Sequence, residues 1–339
     1  MATAVKAFRK LQIGMESAKG TLVAATRVLP GNHHLSEGIE FYRSPHPRGV
    51  RATVGGAGVI TRKGCEIDFD TELTAEEILW FLLTGIKGAV TGVNSSGDYT
   101  WTFTPQLTTG VPTLDSATVE FILADGATNH YYGEAGYAMT SSFKIEWSAD
   151  NATDPVKLSA KMFARARQTD TPTGSLAVYT GREPLVPALS KHYLDTSWSG
   201  LGGTQLTGII RSGSLEVMTG LFPDYTADGR SDKDFVKHSV GLLGAKLALT
   251  MEFDSVGASR FANYRANDIV YIRNQFLGST VAVNPRKVQI DGAYRFVDTP
   301  SFSENGEQVL MSANLEAVYD ETGTKILEFV VLNGLSAVA

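Results

Sequence analysis

Cysteine is nearly missing from this chain. Cys65 is the only one in 339 residues, so no disulfide framework can form within it. Cys65 alternates with Ile67 and Phe69, which predicts a small core residue rather than a nucleophile. No apolar run nears the ~20 residues of a membrane span. The opening Met1 to Lys10 offers neither an unbroken apolar stretch nor a cleavage site, so no secretory signal is expected and the chain reads as soluble, made in a reducing cytosol. Positive charge is in deficit: 30 Lys and Arg against 36 Asp and Glu leave a net charge of −6. That excludes a general duplex-DNA binder, which needs a basic face for phosphates, but not DNA sliding past a repelling wall.

Signatures of chemistry are also scarce. There is no Gly-x-Ser-x-Gly elbow and no P-loop. Gly56-Ala57-Gly58 is followed by strand-like Val59-Ile60-Thr61 rather than a helix, so it is no dinucleotide loop. His33, His34 and His46 are joined by no Cys or paired carboxylate at ligand spacing, and a solvated loop is expected there. Asp224, Asp228, Asp232 and Asp234 lack the spacing and the closing Glu of a calcium loop. Two acids could still meet in space for glycoside hydrolysis, although the acids in question fall on wet strand faces. No catalytic residue, cofactor or metal is expected.

What the chain does contain is alternation. Apolar residues make up 43% of it and charged residues 19%, enough for a real core. Period-two patterns run through 99–104, 118–123, 142–148, 158–165, 214–217 and 309–320, predicting antiparallel sheet with one buried and one wet face. Helices are few. Thr74-Ala75-Glu76-Glu77 reads as a capping box opening a helix that buries Ile78, Leu79, Phe81 and Leu82 and ends at Gly85 as a C′ residue. Ser259 is expected to open a second helix, through Phe261 and Tyr264.

One passage reads as though written twice. A strand ending Phe69-Asp70 leads to the Thr74 helix, and a strand ending Phe253-Asp254 leads to the Ser259 helix. Both halves close on two long amphipathic strands, 137–148 with 156–166 and 288–297 with 308–319. The polar, turn-rich stretch 168–187 reads as the join, dividing the chain into 1–175 and 176–339, each with its own hydrophobic centre. Pro30 to Gly58 is expected to be a long loop that docks on a neighbour, and Asp224 to Ser239 a surface excursion. Glu66, Asp68 and Asp70 in one copy, with Glu252 and Asp254 in the other, form a candidate acidic face. Lys157, Lys161, Arg165 and Arg167 form a basic one.

With these pieces in order, the chain resembles the major tail tube proteins of long-tailed, siphovirus-like phages. The opening from Leu11 through Gly14-Met15-Glu16 and Gly20-Thr21 to Ala24-Ala25-Thr26 is similar to their start. So are the strand Tyr99 to Pro105, the pair Ser141 to Ile145 with Val156 to Arg165, and the C-terminal Leu315 to Asp320. The resemblance implies a mainly β chain with two tandem tail-tube-like β-sandwich or barrel folds, each with a short flanking α-helix. It implies a structural virion protein, assembled in the host cytoplasm into stacked rings around an acidic lumen through which genomic DNA passes transiently. Three copies would make a pseudo-sixfold ring; a hexamer of one fold plus a decorating domain also fits. The implied partners are further copies, the tape measure, tail terminator and distal tail proteins, and no membrane. On this reading Glu66, Asp68, Asp70, Glu252 and Asp254 line the lumen. His33, His34, Tyr42, His46 and Arg48 belong to a loop that reaches the next ring. Two alternatives stay open: a monomeric β-sandwich adhesin recognising a carbohydrate or receptor, and a carboxylate hydrolase.

Overall fold

The computed structural model describes residues 6–43, 58–108, 110–125, 129–150, 154–229, 231–253 and 263–338. The chain is mainly β. Its first half holds β1 (Lys10–Met15), β2 (Arg27–Leu29), β3 (Asn32–Tyr42), β4 (Val59–Glu72), helix α1 (Ile78–Gly85), β5 (Val93–Ser95), β6 (Asp98–Phe103), β7 (Ala117–Ala124), β8 (Asn129–Ser148) and β9 (Lys157–Ala164). Its second half holds β10 (Lys191–Asp195), β11 (Ile210–Met218), β12 (Leu221–Asp224), β13 (Lys237–Val240), β14 (Gly244–Glu252), β15 (Val270–Thr280), β16 (Pro285–Phe296), β17 (Ser301–Asn305), β18 (Gln308–Ala317) and β19 (Leu327–Asn333). Residues 263–266, which include Tyr264, are helical; Ser259 and Phe261 lie outside the described residues. No described helix is long and apolar enough to cross a membrane.

Four strand pairings of the first half have a counterpart in the second, while β1·β2, β5·β6 and β12·β13 have none. β1·β7 and β10·β15 correspond, as do β3·β4 and β11·β14, and β4·β9 and β14·β18. β7·β8 corresponds to β15·β16. The outer neighbour of β9 is the C-terminal part of β8, and that of β18 is β17. Register carries the match to single residues. Met162 lies opposite Ile67 and Met311 opposite Met251, while Glu40 lies opposite Arg62 and Glu216 opposite Lys246.

The halves are not separate bodies. β8 pairs antiparallel with β11, Lys144 opposite Glu216 and Ile145 opposite Leu215. A single sheet therefore runs in the order β3-β4-β9-β8-β11-β14-β18-β17. β19 returns to pair with β6 of the first half. The main hydrophobic cluster extends from Leu11 and Phe69 through Phe143 and Leu215 to Phe329 and Val338 without a gap at the boundary, so the expectation of two hydrophobic centres is not met. The reason is that the inner face of β8 packs on second-half strands. Phe143 meets Phe329 at 5.7 Å, and Trp147 meets Phe276 at 5.2 Å, between ring centroids.

Alternation places the inward residues of β4, β6, β8, β9, β14 and β18 correctly. It fails at β7, where Thr118 and Glu120 are as buried as Val119 and Phe121. The stretch expected as a polar join lies across that strand. Glu120 accepts bonds from the Thr173 amide at 2.7 Å, the Ala25 amide at 2.9 Å and Gln12 Nε2 at 2.9 Å. α1 also departs from expectation, because every one of its residues is buried. The Thr74 hydroxyl accepts from the Glu77 amide at 3.1 Å in the turn before it, while the helix's own N-cap, Glu77, makes no side-chain cap bond. Gly85 ends it as its last residue rather than as a left-handed C′, and is needed for space: a Cβ there would meet Thr140 Cβ at 3.0 Å and Thr219 Cγ2 at 3.1 Å. Trp80 donates from Nε1 to Tyr179 Oη at 2.9 Å.

The junction strand β11 makes similar close contact. A Cβ on Gly213 would fall 2.3 Å from Trp147 Cζ2. Gly213→Val is expected to destabilise the fold by about 2–3 kcal/mol, the usual penalty of overpacking, read as a lower urea midpoint at unchanged m-value. An unchanged midpoint would refute tight packing at the junction.

Candidate assembly surfaces

The wet face of the shared sheet carries the predicted acids. Glu66, Asp68 and Asp70 are exposed on β4, with Cys65, Ile67 and Phe69 buried behind them. Burial pushes the Cys65 thiol up to about 12, which makes it inert. Glu252 is half-buried on the same face of β14 and paired with Arg211. Asp254 lies outside the described residues.

These acids do not stand alone. Lys161 sits opposite Asp68, with Nζ 3.9 Å from the carboxylate, and Lys157 sits opposite Glu72. Asp70 faces Ser159, and Glu66 faces Phe163. Along one row the register sets Lys144, Glu216, Lys246, Glu316 and Arg295 side by side on successive strands. The acidic and basic faces read from the sequence are thus interleaved on one surface. The basic set is also split. Arg165 turns away, its guanidinium 5.0 Å from the Tyr137 ring and 5.8 Å from the Phe235 ring. Arg167 pairs with Glu37.

The stretch expected as an inter-ring loop is largely strand. His33, His34 and Tyr42 lie on β3, which pairs with β4 over its whole length; His46 and Arg48 lie outside the described residues. β3 was missed because its residues alternate poorly: from Ser36 to Tyr42 every one is exposed. His33 is the buried exception. Burial, reinforced by the Arg9 charge, pushes its pKa down to about 4, and Arg9 Nη1 donates to the His33 carbonyl at 2.8 Å. The 224–239 excursion is not free either. It folds β12 and β13 onto the first half, where Phe235 is fully buried among Tyr137, Phe163 and Tyr225. Tyr225 Oη donates to the Lys63 carbonyl at 3.0 Å, and the Ala166 amide donates to Asp234 Oδ1 at 2.8 Å.

Sequence reasoning placed Glu76 and Glu77 in a capping box and foresaw none of the ion pairs that lock the halves. Glu76 and Glu77, buried before α1, face Arg286 Nε at 2.9 Å and Arg182 Nε at 2.6 Å. Burial raises both carboxyl pKa values against these charges. Asp98 accepts from the amides of Ala282 at 2.9 Å and Asn284 at 2.8 Å, capping the β15–β16 turn. Each contact spans more than a hundred residues, so no local spacing signals it. Among the described residues, no group of three His, Cys, Asp or Glu could hold a metal ion.

No protein-family model and no curated protein matches the chain.

Two measurements check these surfaces. Arg182→Met should cost about 3–5 kcal/mol, because it strands the fully buried Glu77 without its partner; a loss below about 1 kcal/mol by denaturant titration would refute the lock. His33 resists protonation when folded, so its contribution is complete above pH 6.5 and falls as pH drops toward 4. Wild type should lose about 2 kcal/mol more than His33→Asn over that window. Parallel pH profiles would contradict this.

Proposed function

We propose that the chain is a structural subunit that works by self-association, forming stacked rings of a hollow tube such as the tail tube of a long-tailed phage. The observation that carries this reading is the β8·β11 junction. Two halves with matching pairings meet edge to edge through unlike surfaces, the end of one against the start of the next. A heterologous contact of that kind, repeated, closes a ring when its rotation divides the circle and otherwise runs on as a filament. Two folds per chain fit a ring of three copies with pseudo-sixfold order. The tape measure, terminator and distal tail proteins would be its companions, and genomic DNA its transient cargo.

The resemblance of the opening and closing segments to tail tube proteins supports the same reading. So does the wet face. Its interleaved charges hold each exposed lysine near a carboxylate, which limits sticking to a polyanion more locally than a net −6 does. In this role Glu66, Asp68, Asp70 and Glu252 would face the channel.

Size-exclusion chromatography with negative-stain imaging of the purified chain tests the proposal. Rings or hollow rods are expected. A monodisperse monomer at high concentration, also with other tail proteins present, would overturn it.

A further inference from the structure

The ribbon formed by β12 and β13 is anchored apart from the main core. Among the described residues its two strands pair only with each other. Its apolar anchor is a separate cluster, in which Leu221 and Phe235 from the ribbon join Leu114, Tyr137, Met139 and Phe163 of the first half. The chain enters and leaves the ribbon through a narrow neck. The Gly241 amide donates to the Gly220 carbonyl at 2.7 Å. Gly220 has φ +75°, and a Cβ there would fall 2.6 Å from the Leu242 carbonyl oxygen, so the turn calls for glycine. Beyond the neck, single bonds rather than a strand ladder hold the ribbon to the first half. The Lys63 amide donates to the Lys233 carbonyl at 3.0 Å, and Arg165 donates to the carbonyls of Phe235 and Val236 at 3.2 Å each. A segment tied down in this way opens locally at less cost than a core strand.

His238, on β13, sits at this anchor. Its Nδ1 lies 3.1 Å from Tyr137 Oη on β8, and its Nε2 is buried with no partner. The charges that face it come from the first half. They are Lys19, with Asp115 acting on it, and Arg165, whose guanidinium is 5.0 Å from the Tyr137 ring; Glu16 acts on Tyr137. On the ribbon itself Lys237 pairs with Asp224, and Asp234 accepts from the Ala166 amide. A charged ring would therefore add a positive charge beside Lys19 and Arg165 and leave a buried N–H unsatisfied. Burial, with the Lys19 charge, pushes the His238 pKa down to about 4. We propose that the β12–β13 ribbon is an acid-released strap, which opens on its glycine neck as one unit while both halves stay folded. Once open, His238 meets water and regains its ordinary pKa of 6.5. The strap is thus held fully above pH 6.5 and loosens as pH falls toward 4. Burial raises the Asp234 carboxyl, so that group opposes release, and only at the acid end where it takes up its own proton. Release bares Tyr137, Met139 and Phe163 on the first half. The strap does not depend on assembly into rings.

Amide exchange on the full chain at about pH 7.5 and about pH 5, corrected for the intrinsic pH dependence of exchange, tests the strap. In wild type, β12 and β13 should lose protection about tenfold more than β14 does, the effect of a shift of this size after allowance for solvent around the half-buried ring. His238→Asn keeps an acceptor near the place of Nδ1 and cannot charge, so the difference should fall below about twofold. Lys19→Met should shrink it as well, because it removes a charge that faces the ring. Ribbon amides that lose protection only in step with β14 would overturn the strap. A separate loss that both variants leave undiminished would overturn its release by acid.

Discussion

The architecture depends on one contact, the pairing of β8 with β11. β8 has 20 residues. Its N-terminal part belongs with β7, and its C-terminal part lies between β9 and β11. A strand shared in this way must satisfy backbone groups on both edges, and its inner side chains must be covered by both halves. Phe143, Ile145 and Trp147 meet that demand by packing on second-half residues. The halves are therefore one core and one sheet, although four pairings in one have a counterpart in the other. The buried Glu76 and Glu77 with their half-buried partners Arg286 and Arg182, and the Asp98 cap, also join the two halves. Buried pairs of this sort specify geometry more than they add stability.

Surface charge follows from the pairing too. Once β4 lies beside β9 and β14 beside β18, Asp68 and Glu72 stand opposite Lys161 and Lys157, and Lys246 opposite Glu316. That spacing lies inside the ~8 Å screening length of physiological salt, so each of these lysines feels a carboxylate on the neighbouring strand. Exposed pairs of this kind stabilise little. Their consequence is for what the face attracts.

Much of this was legible in the residues. The alternation of Tyr99, Trp101 and Phe103, and of Leu158, Ala160 and Met162, marks inward faces that the fold keeps. Asp68 and Glu252 come to matching places in the two halves, as the paired Phe-Asp passages implied. The illegible parts have physical reasons. β3 carries no hydrophobic period because most of it has nothing to pack against. β7 and α1 are covered on every side by chain arriving from elsewhere, so Glu120 and Trp80 are buried against any local pattern. The polar stretch 168–182 looks like a linker in composition, yet Thr173, Tyr179 and Arg182 are all spent on bonds to the core.

Amide hydrogen exchange on the single chain tests most directly whether the β8·β11 pairing makes one cooperative core of the two halves. The amides of β8 and β11 should be among the best protected, and β4 and β14 should open together with them. A second half that exchanges as a unit well before the first would contradict the account.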